Sequence, residues 1–173
     1  GVPAGRIALV RDGSPVSFAG LAAPEPLPPE LRGHCVLLYS GNYGVAHEVE
    51  TVAIGYERHH RSGSGRVRLW LSAAGGGADE LERRFRERGV PFHRSKPVPL
   101  ERLPGVLKAA DAHLVTLKDA FVGFVMPSKI YACIESGKPI IFVGSADSDV
   151  ELLARPGAGP VGYWRVPCGD PEG

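Results

Sequence analysis

From residue 34 onward, apolar positions fall in short continuous runs separated by amphipathic stretches. Residues 34–40, 66–72, 90–93, 112–117, 140–143 and 162–166 are each of strand length. Continuous apolar runs suit strands buried on both faces, as in a parallel sheet, whereas 66–72 alternates, with Val67, Leu69 and Leu71 on one face and Arg66, Arg68 and Trp70 on the other. Between them lie segments with an i, i+3/i+4 apolar face. Residues 46–60 present Val49, Val52, Ala53 and Tyr56, and residues 78–88 present Leu81 and Phe85. Further helices are predicted over 99–110, over a short stretch after Pro127 that carries Ile130 and Ile134, and over 148–154. On 78–88, Glu80–Arg84 and Glu82–Arg86 have the i,i+4 spacing of surface ion pairs. Strand and helix alternating throughout predict an α/β, Rossmann-like three-layer domain with a mostly parallel sheet of about six strands.

Residues 1–34 read differently. Arg6-Ile7-Ala8-Leu9-Val10 would make one short strand at most, and Ala23-Pro24-Glu25-Pro26-Leu27-Pro28-Pro29 can be neither helix nor central strand. This is an inter-domain connecting segment, leaving 35–173 as the folded domain. The stop at Gly173, soon after a strand and with no closing helix, reads as the boundary of a piece of a longer chain. The formal charge of +1, with acids and bases interspersed, leaves no nucleic-acid footprint. Cys35, Cys133 and Cys168 fit no metal spacing, and Cys35 and Cys133 sit in apolar patterns that predict buried thiols of a reducing cytosol. No signal peptide or membrane-length apolar run is present, which suits a soluble chain.

Two strand–loop–helix units carry candidate chemistry. After the first strand comes Gly41-Asn42-Tyr43-Gly44, the layout of a phosphate-cradling turn, or equally of a tight turn that needs small residues. It lacks the Gly-x-Gly-x-x-Gly of a dinucleotide oxidoreductase, which ranks that function last. In the second unit Pro127 suits a helix start, Ser128 offers a hydroxyl and Lys129 a cation, so an anion such as a diphosphate would fit there. The competing reading makes Ser128 a cap and Lys129 a solvated charge. His59-His60, with His47, could suggest a metal, but their arginine neighbours favour a solvated helix end. Asp111 reads as a cap at the start of a strand, and Trp70 and Trp164 as sheet packing. Asp147-Ser148-Asp149 reads as a helix cap rather than a metal motif.

The order of these motifs resembles a known family. It runs Tyr39-Ser40-Gly41-Asn42-Tyr43-Gly44 with His47, then Gly75-Gly76-Gly77 before Glu80-Leu81-Glu82, then Leu103-Pro104 with Leu107 and Ala110-Asp111-Ala112. Val125-Met126-Pro127-Ser128-Lys129-Ile130-Tyr131 and Ser136-Gly137-Lys138-Pro139 complete it. From about residue 36 to 170 the chain resembles the C-terminal, donor-binding domain of GT-B glycosyltransferases. It is most similar to the family-4, or group 1, enzymes of bacterial surface-polysaccharide assembly.

The resemblance implies a retaining, metal-free transferase of hexosyl type, with no cofactor and a nucleotide-diphosphate sugar, usually UDP-linked, as donor. It implies that Ser40, Gly41, Asn42, Tyr43 and Gly44 lie beside the diphosphate and sugar, and that Ser128 and Lys129 neutralise the phosphates. It puts Phe92, His93 and Arg94 near the base, and His47, Asp119 and Gly123 near the sugar. The acceptor, a glycan or lipid-linked glycan, would be held by a preceding domain, without which the chain would transfer no sugar. The setting implied is cytoplasmic, at the inner face of the membrane. One position departs from the family: where many members have a glutamate gripping the ribose, this chain has Ala132. A non-catalytic nucleotide or sugar-nucleotide binding module is the alternative.

Overall fold

Strand-length runs at six places become six parallel strands of one sheet. A computed structural model describes residues 13, 14, 16–18, 23–154 and 162–172. The strands are β1 (Cys35–Asn42), β2 (Val67–Ala74), β3 (Phe92–Ser95), β4 (Ala112–Thr116), β5 (Ile140–Val143) and β6 (Tyr163–Val166), in the order β3-β2-β1-β4-β5-β6. Each neighbouring pair is parallel. The helices are α1 (Glu50–Arg61), α2 (Gly76–Glu87), α3 (Leu103–Ala109), α4 (Lys129–Glu135) and α5 (Asp149–Ala154).

Both faces of the sheet are covered, so the apolar runs need not alternate. On one face Val52, Ala53 and Tyr56 of α1 and Ala78, Leu81 and Phe85 of α2 pack on Tyr39, Leu69, Leu71 and Leu114. On the other, α3 packs through Val106 and Leu107 on Val36, Leu38 and Trp70, and α4 and α5 cover Val115, Ile140 and Phe142. The order in which strands are added across the sheet therefore reverses between β1 and β4, and a crevice opens at their carboxyl ends, where doubly wound sheets bind ligands.

Several expectations need correction. The helix predicted from residue 46 begins at Glu50, because residues 43–48 form a turn around the buried Tyr43, whose hydroxyl donates to the Glu48 carbonyl. The helix predicted from residue 78 begins two residues earlier, with Gly76 and Gly77 in the first turn of α2. Glu82–Arg86 forms, but Arg84 turns away from Glu80 to bind Glu57 (2.6 Å) and Glu50 (2.7 Å) on α1, while Glu80 pairs with Arg83. Cys35 is exposed, whereas Cys133 is buried as expected. His59 and His60 are half-buried rather than solvated. His59 Nε2 accepts the Val67 amide and His60 packs edge-on against Tyr56. Trp70 does pack into the sheet, but Trp164 lies exposed on the edge strand β6.

Other local readings stand. Asp111 accepts the Val36 amide (2.7 Å), joining the starts of β1 and β4, and the Ser148 hydroxyl accepts the Glu151 amide at the start of α5. The described part of the first segment lies against the domain, with Val16 and Leu31 buried in the α3-side core. The strand predicted over 6–10 falls outside the described residues.

Candidate functional site

The crevice between β1 and β4 is a cleft of about 410 Å³. One end is polar: Ser40, Gly41 and Asn42 from β1, His47 from the turn after it, and Ser128 and Lys129 from the start of α4. The opposite wall is apolar, built from Pro97, Val98, Leu100, Leu103, Leu107, Val125, Met126 and Ala132. No carboxylate lies among the cleft's lining residues.

The polar end is shaped by the turn after β1. Gly41 has φ 100°, a conformation that side chains with a Cβ rarely adopt. Tyr39 donates to the Asn42 carbonyl (2.9 Å) and stacks on Tyr43 with ring centroids 4.1 Å apart. That stack turns Tyr43 into the core and leaves Ser40, Gly41 and Asn42 facing the cleft. Tyr43 and Gly44, which the sequence also nominated, do not line it. The glycine run before α2 acquires its reason here. A Cβ on Gly75 would fall 2.5 Å from Asn42 Oδ1, and one on Gly77 2.4 Å from the Tyr43 ring.

Lys129 is the feature that distinguishes the site. Its ammonium nitrogen is buried, makes no hydrogen bond, and lies 3.4 Å from the centroid of the Tyr39 ring. Burial pushes its pKa down to about 7. With only seven residues, α4 adds little dipole of its own, and Ser128, the residue before it, makes no side-chain cap. The cation, not the helix end, is what the fold offers an anion.

His47 stands beside it. Its Nδ1 lies 2.7 Å from the Thr116 carbonyl, which can only accept, so the ring proton is on Nδ1 and Nε2 is left as an acceptor. Burial, then the neighbouring Lys129, pulls its pKa down to about 4, against the opposing pull of the Thr116 carbonyl. The ring is therefore neutral near pH 7.

The remaining nominated residues lie elsewhere. On β3, alternate side chains face opposite sides of the sheet. Phe92 packs against Phe85, and Arg94 pairs with Asp79 (2.9 Å) and Glu82 (3.5 Å) on the α2 side. His93 faces Trp70 on the other side, with its Nδ1 3.6 Å from Glu30. None of the three lines the cleft; the loop after them does, through Pro97, Val98 and Leu100. Asp119 is exposed in a 3-10 turn (Asp119–Phe121), beside Cys168, whose thiol pKa is pushed up to about 12 by burial and by this carboxylate. Gly123 is exposed at φ 80° and lies outside the cleft lining. The apolar wall was missed by sequence reasoning. Its one signal is Pro97-Val98-Pro99-Leu100, apolar residues held outside any helix or strand period.

Among the described residues, no group of three or more His, Cys, Asp or Glu could hold a metal ion. Nor is any described helix long and apolar enough to cross a membrane.

No protein-family model matches the chain. Over 121 residues it is 28% identical to the putative colanic acid biosynthesis glycosyl transferase WcaI of Escherichia coli (strain K12), covering 69% of this chain and 29% of that protein. Its fold matches the α,α-trehalose-phosphate synthase (UDP-forming) of Burkholderia vietnamiensis with a TM-score of 0.54 at 15% identity, over 71% of this chain and 32% of that one. The trehalose-6-phosphate synthase OtsA matches with a TM-score of 0.53 at 15% identity, over 87% and 38%. The chain is homologous to glycosyltransferases, and its Rossmann-like sheet is that of a GT-B-like domain. It spans about a third of the length of these relatives.

Proposed function

We propose that the chain forms the donor-binding domain of a retaining, metal-independent glycosyltransferase that transfers a hexosyl group from a nucleotide-diphosphate sugar during polysaccharide or glycoconjugate assembly. The observation that carries this reading is the buried, unpartnered Lys129 ammonium at the polar end of the cleft. An amine withheld from water lacks a counter-charge, and a diphosphate supplies one.

As the glycosidic bond to the donor breaks, negative charge grows on the departing diphosphate. A cation already desolvated and aimed at that position stabilises it without reorganising. The Ser128 hydroxyl and Asn42 amide can donate to the same oxygens or to the sugar, and His47 Nε2 can accept from a sugar hydroxyl. The UDP-forming trehalose-phosphate synthase that shares the fold supports a UDP-linked donor.

The acceptor, a glycan or lipid-linked glycan, would be bound by another domain of a longer protein working in the cytoplasm at the membrane face. On this reading the chain alone binds donor and transfers nothing. The absence of any carboxylate from the cleft lining also favours a second reading, a non-catalytic sugar-nucleotide module. Calorimetry of the chain with UDP should show binding that survives EDTA, and its loss on chelation would overturn the metal-free scheme. Donor hydrolysis or transfer by the longer protein, compared with its Lys129→Met variant, separates enzyme from binding module.

A further inference from the structure

The cleft is polar at one end only. From Lys129, one turn of α4 leads to Ala132, which packs with Leu107 of α3 on the α3-side core, and Val98, Leu100 and Leu103 continue that wall. Val125 and Met126 line the cleft as well. Ser72 also reaches this region, but it is 1% exposed and its hydroxyl donates to the Lys96 carbonyl (3.3 Å), so it presents almost no surface. Apart from the weak thioether of Met126, no side chain of the wall can accept a hydrogen bond.

A hydroxyl buried there without a partner would be penalised, so the lobe suits the part of a ligand that can turn an apolar face to it. A hexosyl group has several hydroxyls to satisfy and belongs at the Asn42–His47 end. A nucleoside has a planar base with two apolar faces, and its pentose hydroxyls can point out through the mouth to water.

We propose that the lobe between α3 and α4 receives the nucleoside of the donor without reading its pentose hydroxyls, so that ribo- and 2′-deoxyribonucleoside diphosphates are bound alike. This rests on the diphosphate lying at Lys129. The substrate class thereby widens to donors built on deoxynucleotides, such as thymidine diphosphate sugars, alongside uridine ones.

The test is calorimetric titration of the chain with UDP and with 2′-deoxyuridine diphosphate, which differ in one hydroxyl. Dissociation constants within about threefold of each other support the proposal. A preference for UDP of about tenfold or more, the mark of a site that pairs the hydroxyl, overturns it and leaves the diphosphate reading intact. Binding of neither ligand overturns that reading and the proposal with it. As a positive control, Ala132→Glu places an acceptor in the wall and should create a preference for UDP. Its melting temperature checks that the buried substitution is tolerated, and Leu103→Gln at the half-buried start of α3 serves where it is not. A ribo preference absent from a folded, UDP-binding acceptor variant would show that the pentose lies elsewhere, and would also overturn the proposal.

Discussion

An ammonium on a long apolar stem ordinarily reaches out to solvent. That of Lys129 ends over the Tyr39 ring with no hydrogen-bond partner, and its proton is held loosely as a result. With a pKa near 7 the apo side chain is largely neutral at pH 8, while a bound diphosphate restores the ordinary preference for the charged form. Binding at pH 8 should therefore take up a substantial fraction of a proton, roughly 0.9 per UDP for a group of this pKa. Calorimetry in two buffers of different ionisation enthalpy measures that number directly. Lys129→Met, which keeps the stem and deletes the amine, should abolish the uptake and weaken UDP binding about ten- to a hundredfold. The same variant should unfold at a higher temperature than the parent at pH 7, because the native state no longer carries a desolvated amine. Uptake that persists in Lys129→Met would move the phosphate site to another group.

At the scale of elements, the cleft depends on two loops that occupy each other's space. The β1–α1 turn buries Tyr43, and the β2–α2 turn fits over it only because Gly75 and Gly77 have no side chain. Gly77→Ala would set a methyl 2.4 Å from the Tyr43 ring and 3.0 Å from its carbonyl oxygen. Tyr43 is fully buried and cannot yield, so the variant should lose roughly 1–3 kcal/mol by overpacking, read as a lower urea midpoint at unchanged slope. Gly76→Ala, with open space around its Cβ, is the control and should change stability little.

Such contacts mark what the sequence could and could not reveal. The six strands were legible because continuous apolar runs bounded by glycine and proline leave few alternatives. The polar end of the cleft was legible too, since Ser40, Gly41 and Asn42 end one strand of a parallel sheet and Ser128 and Lys129 open the helix that follows another. Tyr43 was not, because a residue beside glycines can face either way until its stacking partner is known. Phe92, His93 and Arg94 were displaced because β3 ends two residues beyond the predicted strand's end at His93. The ligand-facing loop therefore begins only after Ser95. Arg84 shows the same limit: the i,i+4 spacing to Glu80 is real, but a tertiary partner, Glu57, outcompetes it.

For the whole molecule, two neutral histidines, one on β4 and one in the turn after β1, tie folding to pH. His113, on β4, is 1% exposed. The Ser136 hydroxyl donates its proton to the Cys133 carbonyl (2.6 Å), so at 2.8 Å it must accept from His113 Nε2, which leaves Nδ1 buried, unprotonated and without a partner. Burial, reinforced by Lys138, pulls the pKa of His113 down to about 4, as burial does for His47. In the unfolded chain both rings titrate near 6.5. Between pH 6.5 and 4 the unfolded state thus binds protons that the native state refuses, so stability falls as pH falls through this window. Above pH 6.5 the contribution is complete, and below about pH 4 both states are protonated and the loss stops. For the fully buried His113 the window amounts to at most about 3 kcal/mol. Denaturant midpoints measured from pH 7 to 4.5 should therefore decline in the parent chain and decline less in His113→Gln, which can still donate to Ser136 but cannot titrate. Parallel slopes in the two proteins would assign the acid sensitivity to other groups and leave His113 as a neutral spacer between β4 and α4.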